Sequence, residues 1–210
     1  MMHFYSSPGS CGIGMRILLE ETGAPFEATL FNLAAKEHLN DAYRAVNPKT
    51  KVPALVREDG SVLTEFQAIA FWLADTHPEA RLLPTDAEAR LRVMEVLDYM
   101  VGSVHMRGFT FVIVPGKFTQ NPDFQAELVA HGTAQIATGF GNLSEMLGDK
   151  AYLMGDFSIA DAAMFYMTRW ALLKGIDMPA NIAAHHNRML ERPAVQRAIA
   201  GEGIEVGRAA

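Results

Sequence analysis

The 210-residue chain holds one cysteine, Cys11, and that scarcity closes several routes at once. With no second thiol there is no internal disulfide, no Cys-x-x-Cys redox pair and no cysteine set for zinc. No metal site is expected, and a reducing cytoplasm is the simplest home. Long apolar runs are lacking too: none approaches the roughly 18 residues a membrane helix needs. The start, Met1-Met2-His3, has neither the basic region nor the apolar stretch of a secretory signal. Positive charge is in deficit, 18 Lys and Arg against 24 Asp and Glu, for a net charge of −6. That balance argues against nucleic-acid or anionic-membrane partners. What is present is half apolar and reads as an ordinary soluble globule, long enough for one large domain or two modest ones.

The first 78 residues alternate strand and helix signals. An apolar strand around His3-Phe4-Tyr5 breaks at Pro8-Gly9, and a helical pattern follows at Met15, Leu18, Leu19 and Thr22. Phe26, Ala28 and Leu30 alternate with polar neighbours as in a second strand, parallel to the first because a helix separates them. A short helix over 40–46 stops before Asn47-Pro48. Asp59-Gly60 between two apolar runs predicts a hairpin, and Phe66, Ile69, Ala70 and Leu73 mark a third helix over 65–75. From Asp86 onward strand signals vanish. Val93, Leu97, Met100 and Val104 make a seam on a long helix that ends by Pro115-Gly116. Asn121-Pro122-Asp123 starts a second long helix, and Ser158 with Asp161 forms a capping box for a third. Shorter helices, interrupted at Pro179 and Pro193, complete the chain. Three parts result: an α/β domain over 1–78, a linker over 79–86 and an all-α domain over 87–210.

Cys11 falls in the first turn of the first helix, near unpaired N–H groups and the positive end of the helix dipole. That setting lowers a thiol from its usual pKa of about 8.5 and favours the reactive thiolate. The alternative for a lone cysteine is a small buried hydrophobe.

Five stretches, Ser7-Pro8-Gly9-Ser10-Cys11, Asn47-Pro48-Lys49 running into Val52-Pro53-Ala54-Leu55, Leu63-Thr64-Glu65, Leu73-Ala74-Asp75 before His77-Pro78, and Phe157-Ser158-Ile159-Ala160-Asp161-Ala162, occur in an order that resembles the cytosolic glutathione transferases. Glu191-Arg192-Pro193 with Val195 extends the match to nearly the whole chain. The likeness is greatest to the bacterial beta class, whose first turn carries a cysteine. The resemblance implies a thioredoxin-like first domain, an all-helical second domain and a cytoplasmic homodimer. Its activity would be detoxification, by joining glutathione to a small hydrophobic electrophile. A monothiol glutaredoxin-like oxidoreductase and a non-catalytic interaction module are the alternatives.

The resemblance also distributes roles. Pro53 would be cis, leaving the Val52 N–H and C=O to pair with the cysteinyl unit of glutathione; otherwise it is an ordinary strand-start proline. Thr64 and Gln67 fit a capping box, and the remaining N–H groups would take the γ-glutamyl carboxylate while Glu65 meets the ammonium. Phe66 replaces the small residue, often serine, that the family has after this Glu. One hydroxyl donor is therefore absent and the backbone N–H remains. Lys36, with Lys51 as fallback, would reach the glycyl carboxylate. Asp98, Gly102 and His105 share one helical stripe. His105 would assist the sulfur, and Asp98 would serve the ammonium of glutathione held by a partner subunit. Met100, Val104, Phe109, Phe111 and Val112 would wall the co-substrate cleft. His185 and His186, about 100° apart on a helix, cannot chelate one metal and read as surface residues. Asp161 reads as a cap.

Overall fold

The computed structural model describes residues 1–209. In chain order the elements are β1 (Met2–Ser6), α1 (Gly12–Thr22), β2 (Phe26–Leu30), α2 (Asp41–Val46), β3 (Ala54–Val56), β4 (Val62–Thr64) and α3 (Phe66–Thr76). Helices follow: α4 (Ala87–Tyr99), a π-helical stretch (Met100–Phe109), α5 (Thr110–Ile113), α6 (Pro122–Leu147), α7 (Ile159–Lys174), α8 (Ala180–Leu190) and α9 (Pro193–Glu202). The chain divides into two compact units. One is Met1–Pro84 with Leu190–Val206; the other is Thr85–Met189 with the residues from Gly207 on.

The first unit is thioredoxin-like. Its sheet has the order β2-β1-β3-β4. β1 runs parallel to β2, with Met2 opposite Phe26 and Ser6 opposite Leu30. It runs antiparallel to β3, which pairs antiparallel with β4. The β3–β4 connection turns at Asp59-Gly60, where Gly60 has φ 82° and the Asp59 carboxylate accepts the Ser61 N–H at 2.9 Å. α1 is apolar on most sides because it is covered on most sides: Ile13, Met15, Ile17, Leu18 and Leu19 are fully buried. It packs on α3 and on α9. α9 lies in the 87–210 region by sequence, yet its neighbours are in this unit. Arg192 pairs with Glu21 and Arg197 with Glu20, at 2.8 and 2.9 Å.

The second unit is built around α7, in which every residue from Ile159 to Ala171 is buried. Its start carries the expected capping box, with the Ser158 hydroxyl and the Asp161 carboxylate both engaged. Asn121 caps α6, accepting the Asp123 N–H at 2.9 Å, with Pro122 in the first turn. α6 lies so close to the π-helical stretch that a side chain on Gly132 would come within 2.7 Å of the Gly108 carbonyl. The long helix expected from the Val93–Val104 seam is interrupted. Across Met100–Phe109 the bonding shifts to i→i+5, and the Thr110 N–H reaches the His105 carbonyl. Among the described residues no helix is long and apolar enough to cross a membrane.

Candidate active site

β1 ends at a tight turn, Ser7-Pro8-Gly9-Ser10, closed by a bond from the Ser10 N–H to the Ser7 carbonyl at 3.0 Å. Gly9 takes φ 67°, a left-handed conformation that costs glycine least. Its N–H donates to Glu202 Oε2 at 2.7 Å, a bond from the first turn of the chain to the last residue of α9. Cys11 is the N-cap residue of α1 and gives no side-chain cap. Ser10 substitutes in part, its hydroxyl accepting the Gly12 N–H at 3.1 Å.

The half-buried Cys11 thiol is directed at the Val52 carbonyl, 3.9 Å from sulfur to oxygen. Its pKa is pushed up to about 12, chiefly by burial. The Cys11 and Gly12 N–H groups act in the opposite sense, as the helix-start argument expects, while the carboxylates of Glu202 and Glu65 add to the rise. Desolvation therefore outweighs the helix terminus. The expectation of a lowered pKa is corrected: without ligand, Cys11 is a neutral thiol at pH 7, a weak S–H donor.

Val52-Pro53 is a cis peptide bond. The Val52 carbonyl takes the Cys11 contact, and its N–H has no partner among the described residues. The segment before it is fixed from α2. The Lys51 carbonyl accepts from the Tyr43 hydroxyl at 2.5 Å and from Asn47 Nδ2 at 2.9 Å. Tyr43 in turn packs with Phe31 and Ala54, against Tyr5, Val46 and Val52. Glu65 follows β4 with φ 71° and ψ 131°, a region that non-glycine residues rarely occupy. It is the N-cap residue of α3 without a side-chain cap, so the expected Thr64–Gln67 capping box does not form. Its carboxylate pairs with Lys49 instead. Phe66 buries its ring and leads the first turn of α3.

The structure thus gathers Cys11, Val52, Pro53 and Glu65 in one unit, with Phe66 beside Glu65. Lys36 and Lys51 have exposed side chains; Lys36 caps a short 3₁₀ turn with φ 60°. Sequence reasoning missed Lys49, the partner of Glu65, and Glu202. Lys49 lay inside a quoted motif, whereas nothing local marks Glu202.

In the helical unit His105 is half-buried, with Nδ1 3.2 Å from the Tyr166 hydroxyl and its ring edge-on to Trp170 at 4.8 Å. Burial lowers its pKa to about 4, so the ring is neutral at pH 7. Asp98 is exposed on α4. The one-stripe placement of Asp98, Gly102 and His105 is corrected, because it assumed 100° per residue and i→i+5 bonding changes that step. The cleft wall is corrected as well. Met100, Val104 and Phe109 are 0%, 1% and 0% exposed and belong to the core of this unit. Val104 packs on Gly139, and Phe109 against Phe140 and Trp170. Phe111 and Val112 remain half-buried. His185 and His186 are fully buried rather than on the surface. His185 Nε2 meets Asp161 Oδ1 at 2.9 Å; His186 bonds Thr168 and the Gly207 carbonyl.

A thioredoxin-like unit with a cysteine at the first helix start, a cis-proline opposite it and a companion helical unit define the glutathione transferase fold. Comparison with known proteins agrees. The family model for the glutathione S-transferase N-terminal domain matches residues 10–76. The glutathione S-transferase GstA of Escherichia coli O157:H7 is 36% identical over 97% of this chain and 100% of its own. A glutathione transferase homologue from Sulfitobacter, solved with bound glutathione, superposes with a TM-score of 0.87 at 27% identity, covering 98% of this chain and 99% of that one. A beta-class enzyme from Sphingomonas chungbukensis gives 0.84 at 34% identity, covering 97% and 100%. The chain belongs to the glutathione S-transferase family.

Proposed function

We propose that this protein is a beta-class glutathione transferase that joins the glutathione sulfur to a hydrophobic electrophile. The observation that carries the reading is the pairing of the Cys11 thiol with the Val52 carbonyl beside cis-Pro53. An extended cysteinyl unit that adds to the Val52 N–H and C=O, in the manner of an added strand, brings its own sulfur towards residue 11. Its γ-glutamyl carboxylate would lie at the Phe66 N–H and the head of α3, and its ammonium at Glu65. The left-handed backbone at Glu65 supports this placement, since such strain collects at ligand clamps.

Cys11, neutral, donates its S–H to the bound thiolate and lowers its energy before attack. Glutathione loses its thiol proton to solvent, its sulfur bonds the electrophilic carbon, and the leaving group departs with the displaced electron pair. A neutral Cys11 favours this scheme over the monothiol oxidoreductase, which needs a cysteine thiolate as nucleophile. His105, neutral and able to donate or accept, keeps its part near the sulfur on family likeness, as do Lys36 or Lys51 at the glycyl carboxylate and Asp98 at a partner subunit. The same likeness supports a cytoplasmic homodimer and a role in detoxification. For the electrophile, Phe111 and Val112 are the apolar side chains left with partial exposure.

The test is calorimetric titration with glutathione followed by conjugation of an aryl halide such as 1-chloro-2,4-dinitrobenzene. Saturable heat with turnover supports the reading; no heat at millimolar glutathione ends it. Retention on immobilised glutathione without turnover would point to an interaction module.

A further inference from the structure

We propose that the first unit carries a second binding site, a cavity at the end of the sheet opposite Cys11, which takes a small aromatic carboxylate with its acid group on Arg57. The site is independent of the glutathione reading.

The cavity has a volume of about 550 Å³, within the range of small-molecule sites, and the residues that line it all belong to the first unit. Topology separates it from the candidate active site. Met2 opens β1, whose far end leads to Cys11; Arg57 follows β3, which begins beside Pro53; His77 follows α3, whose head is Glu65. Along α3 alone, 11 residues long, the separation is about 16 Å.

Arg57 is the reason to expect an anion. Its guanidinium lies over the Trp72 ring, 5.7 Å from the ring centre, and its Nε is buried without a hydrogen-bond partner among the described residues. Its ion pair with Asp59 spans 4.0 Å, beyond hydrogen-bond reach, and the same carboxylate oxygen already accepts from the Ser61 N–H and hydroxyl. A buried donor left unpaired is costly, and a guanidinium fixed against an indole offers its planar N–H fork to a carboxylate. Met2, Ala24, Pro25 and Trp72 supply apolar surface for the ring of the ligand.

His77 adds an acceptor. The Leu73 carbonyl, 3.1 Å from His77 Nδ1, can only accept, so Nδ1 carries the proton. The Thr76 hydroxyl, which gives its own proton to the Trp72 carbonyl at 2.7 Å, lies 3.0 Å from the same nitrogen. In the neutral ring Nε2 is left as an acceptor for a hydroxyl on the ligand. Charge limits the choice of anion. Exposed Glu58 and Asp59 also line the cavity, Glu58 paired with the Met1 ammonium at 3.5 Å, and the end of α3 adds partial negative charge. A doubly charged phosphate ester is repelled there, whereas a single carboxylate is matched by Arg57.

Calorimetric titration of the full-length protein with 4-hydroxyphenylacetate, and with the uncharged 4-hydroxyphenylacetamide, tests the site. Wild type should bind the acid saturably and the amide at least about tenfold more weakly, through loss of a charge-assisted pair. Arg57→Gln should weaken the acid by about the same factor and leave the amide unchanged. Aryl halide conjugation should stay at the wild-type rate in that variant. Ala24→Glu, which brings a like charge into the cavity from the loop between α1 and β2, should abolish acid binding. No saturable heat at millimolar acid, or acid and amide bound alike, overturns the proposal. So does acid bound equally by wild type and either variant, because the ligand then sits elsewhere. Phenyl phosphate bound more tightly than the acid overturns the choice of carboxylate. If Arg57→Gln does not fold, Ala24→Glu decides. Failure of the glutathione titration leaves all of these results standing.

Discussion

The Ser6 hydroxyl occupies the space in which a side chain on Gly12 would begin. A Cβ built on Gly12 overlaps Ser6 Oγ and lies 3.1 Å from Ser10 Oγ. Ser6 itself is fully buried, and its hydroxyl has no hydrogen-bond partner among the described residues. The glycine at the start of α1 is thus explained inside the protein, by the end of β1 pressing on the helix that carries Cys11.

Gly12→Ala is expected to destabilise the fold by about 1–3 kcal/mol through overpacking. Ser6→Ala, which removes a buried hydroxyl without a partner, should be close to neutral. The double variant should recover most of the loss. Urea unfolding of all three checks this; a double variant as unstable as Gly12→Ala would show that the crowding is not with Ser6.

Cys11→Ser replaces one neutral donor with another. Aryl halide conjugation should persist within about tenfold, a change of about 1.4 kcal/mol in the barrier, while any thiol-disulfide exchange is lost. Steady-state kinetics on both reactions separate the roles, and a conjugation loss of several orders of magnitude would show that a hydroxyl donor cannot replace the Cys11 thiol.

Asp161 holds four contacts: the Leu153 N–H, the Ser158 N–H and hydroxyl, and His185 Nε2, between 2.8 and 3.1 Å. Asp161→Ala leaves these buried groups without their acceptor and should cost about 3 kcal/mol or more, since each orphaned buried donor carries a desolvation penalty of about 1–3 kcal/mol. Asp161→Asn should lose less. Denaturation midpoints for the two variants test the order.

His105 gives a pH dependence of defined sign. Its pKa is lowered from 6.5 to about 4 in the folded chain, so between those values the unfolded chain binds a proton that the folded chain refuses. The contribution to stability is intact above pH 6.5, falls as pH drops towards 4 and levels below it. His186, lowered mainly by burial, acts in the same sense. Urea midpoints from pH 4 to 8 should decline on the acid side, less steeply in His105→Asn. An unchanged slope in that variant would show that His105 is not the group responsible.

Much of this fold is legible locally. Alternation at Phe26, Ala28 and Leu30, the Asp59-Gly60 turn and the caps at Asn121 and Ser158 are short-range signals, and the elements follow them. The π-helical stretch is not legible, since an apolar spacing of four, three and four fits an uninterrupted α-helix equally well. At Glu65 the left-handed backbone is imposed by the turn out of β4, against the local preference that marked Thr64 as the cap. The burial of His185 depends on Asp161, 24 residues earlier, so no helical periodicity reveals it. The charge state of Cys11 is the most distant case. Its dipole argument is correct as far as α1 extends, and it is outweighed chiefly by burial, which the surrounding fold imposes.

The return of α9 to the first unit bears on how the protein is made. A ribosome releases β1 to α3 early, but α9, which packs on α1, and the acceptor for Gly9 emerge only with residues 190–206. The thioredoxin-like part waits, incomplete, while residues 85–189 of the helical unit are synthesised. A stop codon just after Met189 would therefore injure the segment translated first, and would also cost the helical unit the bonds from His186 to Gly207 and from Asn187 to Ala209.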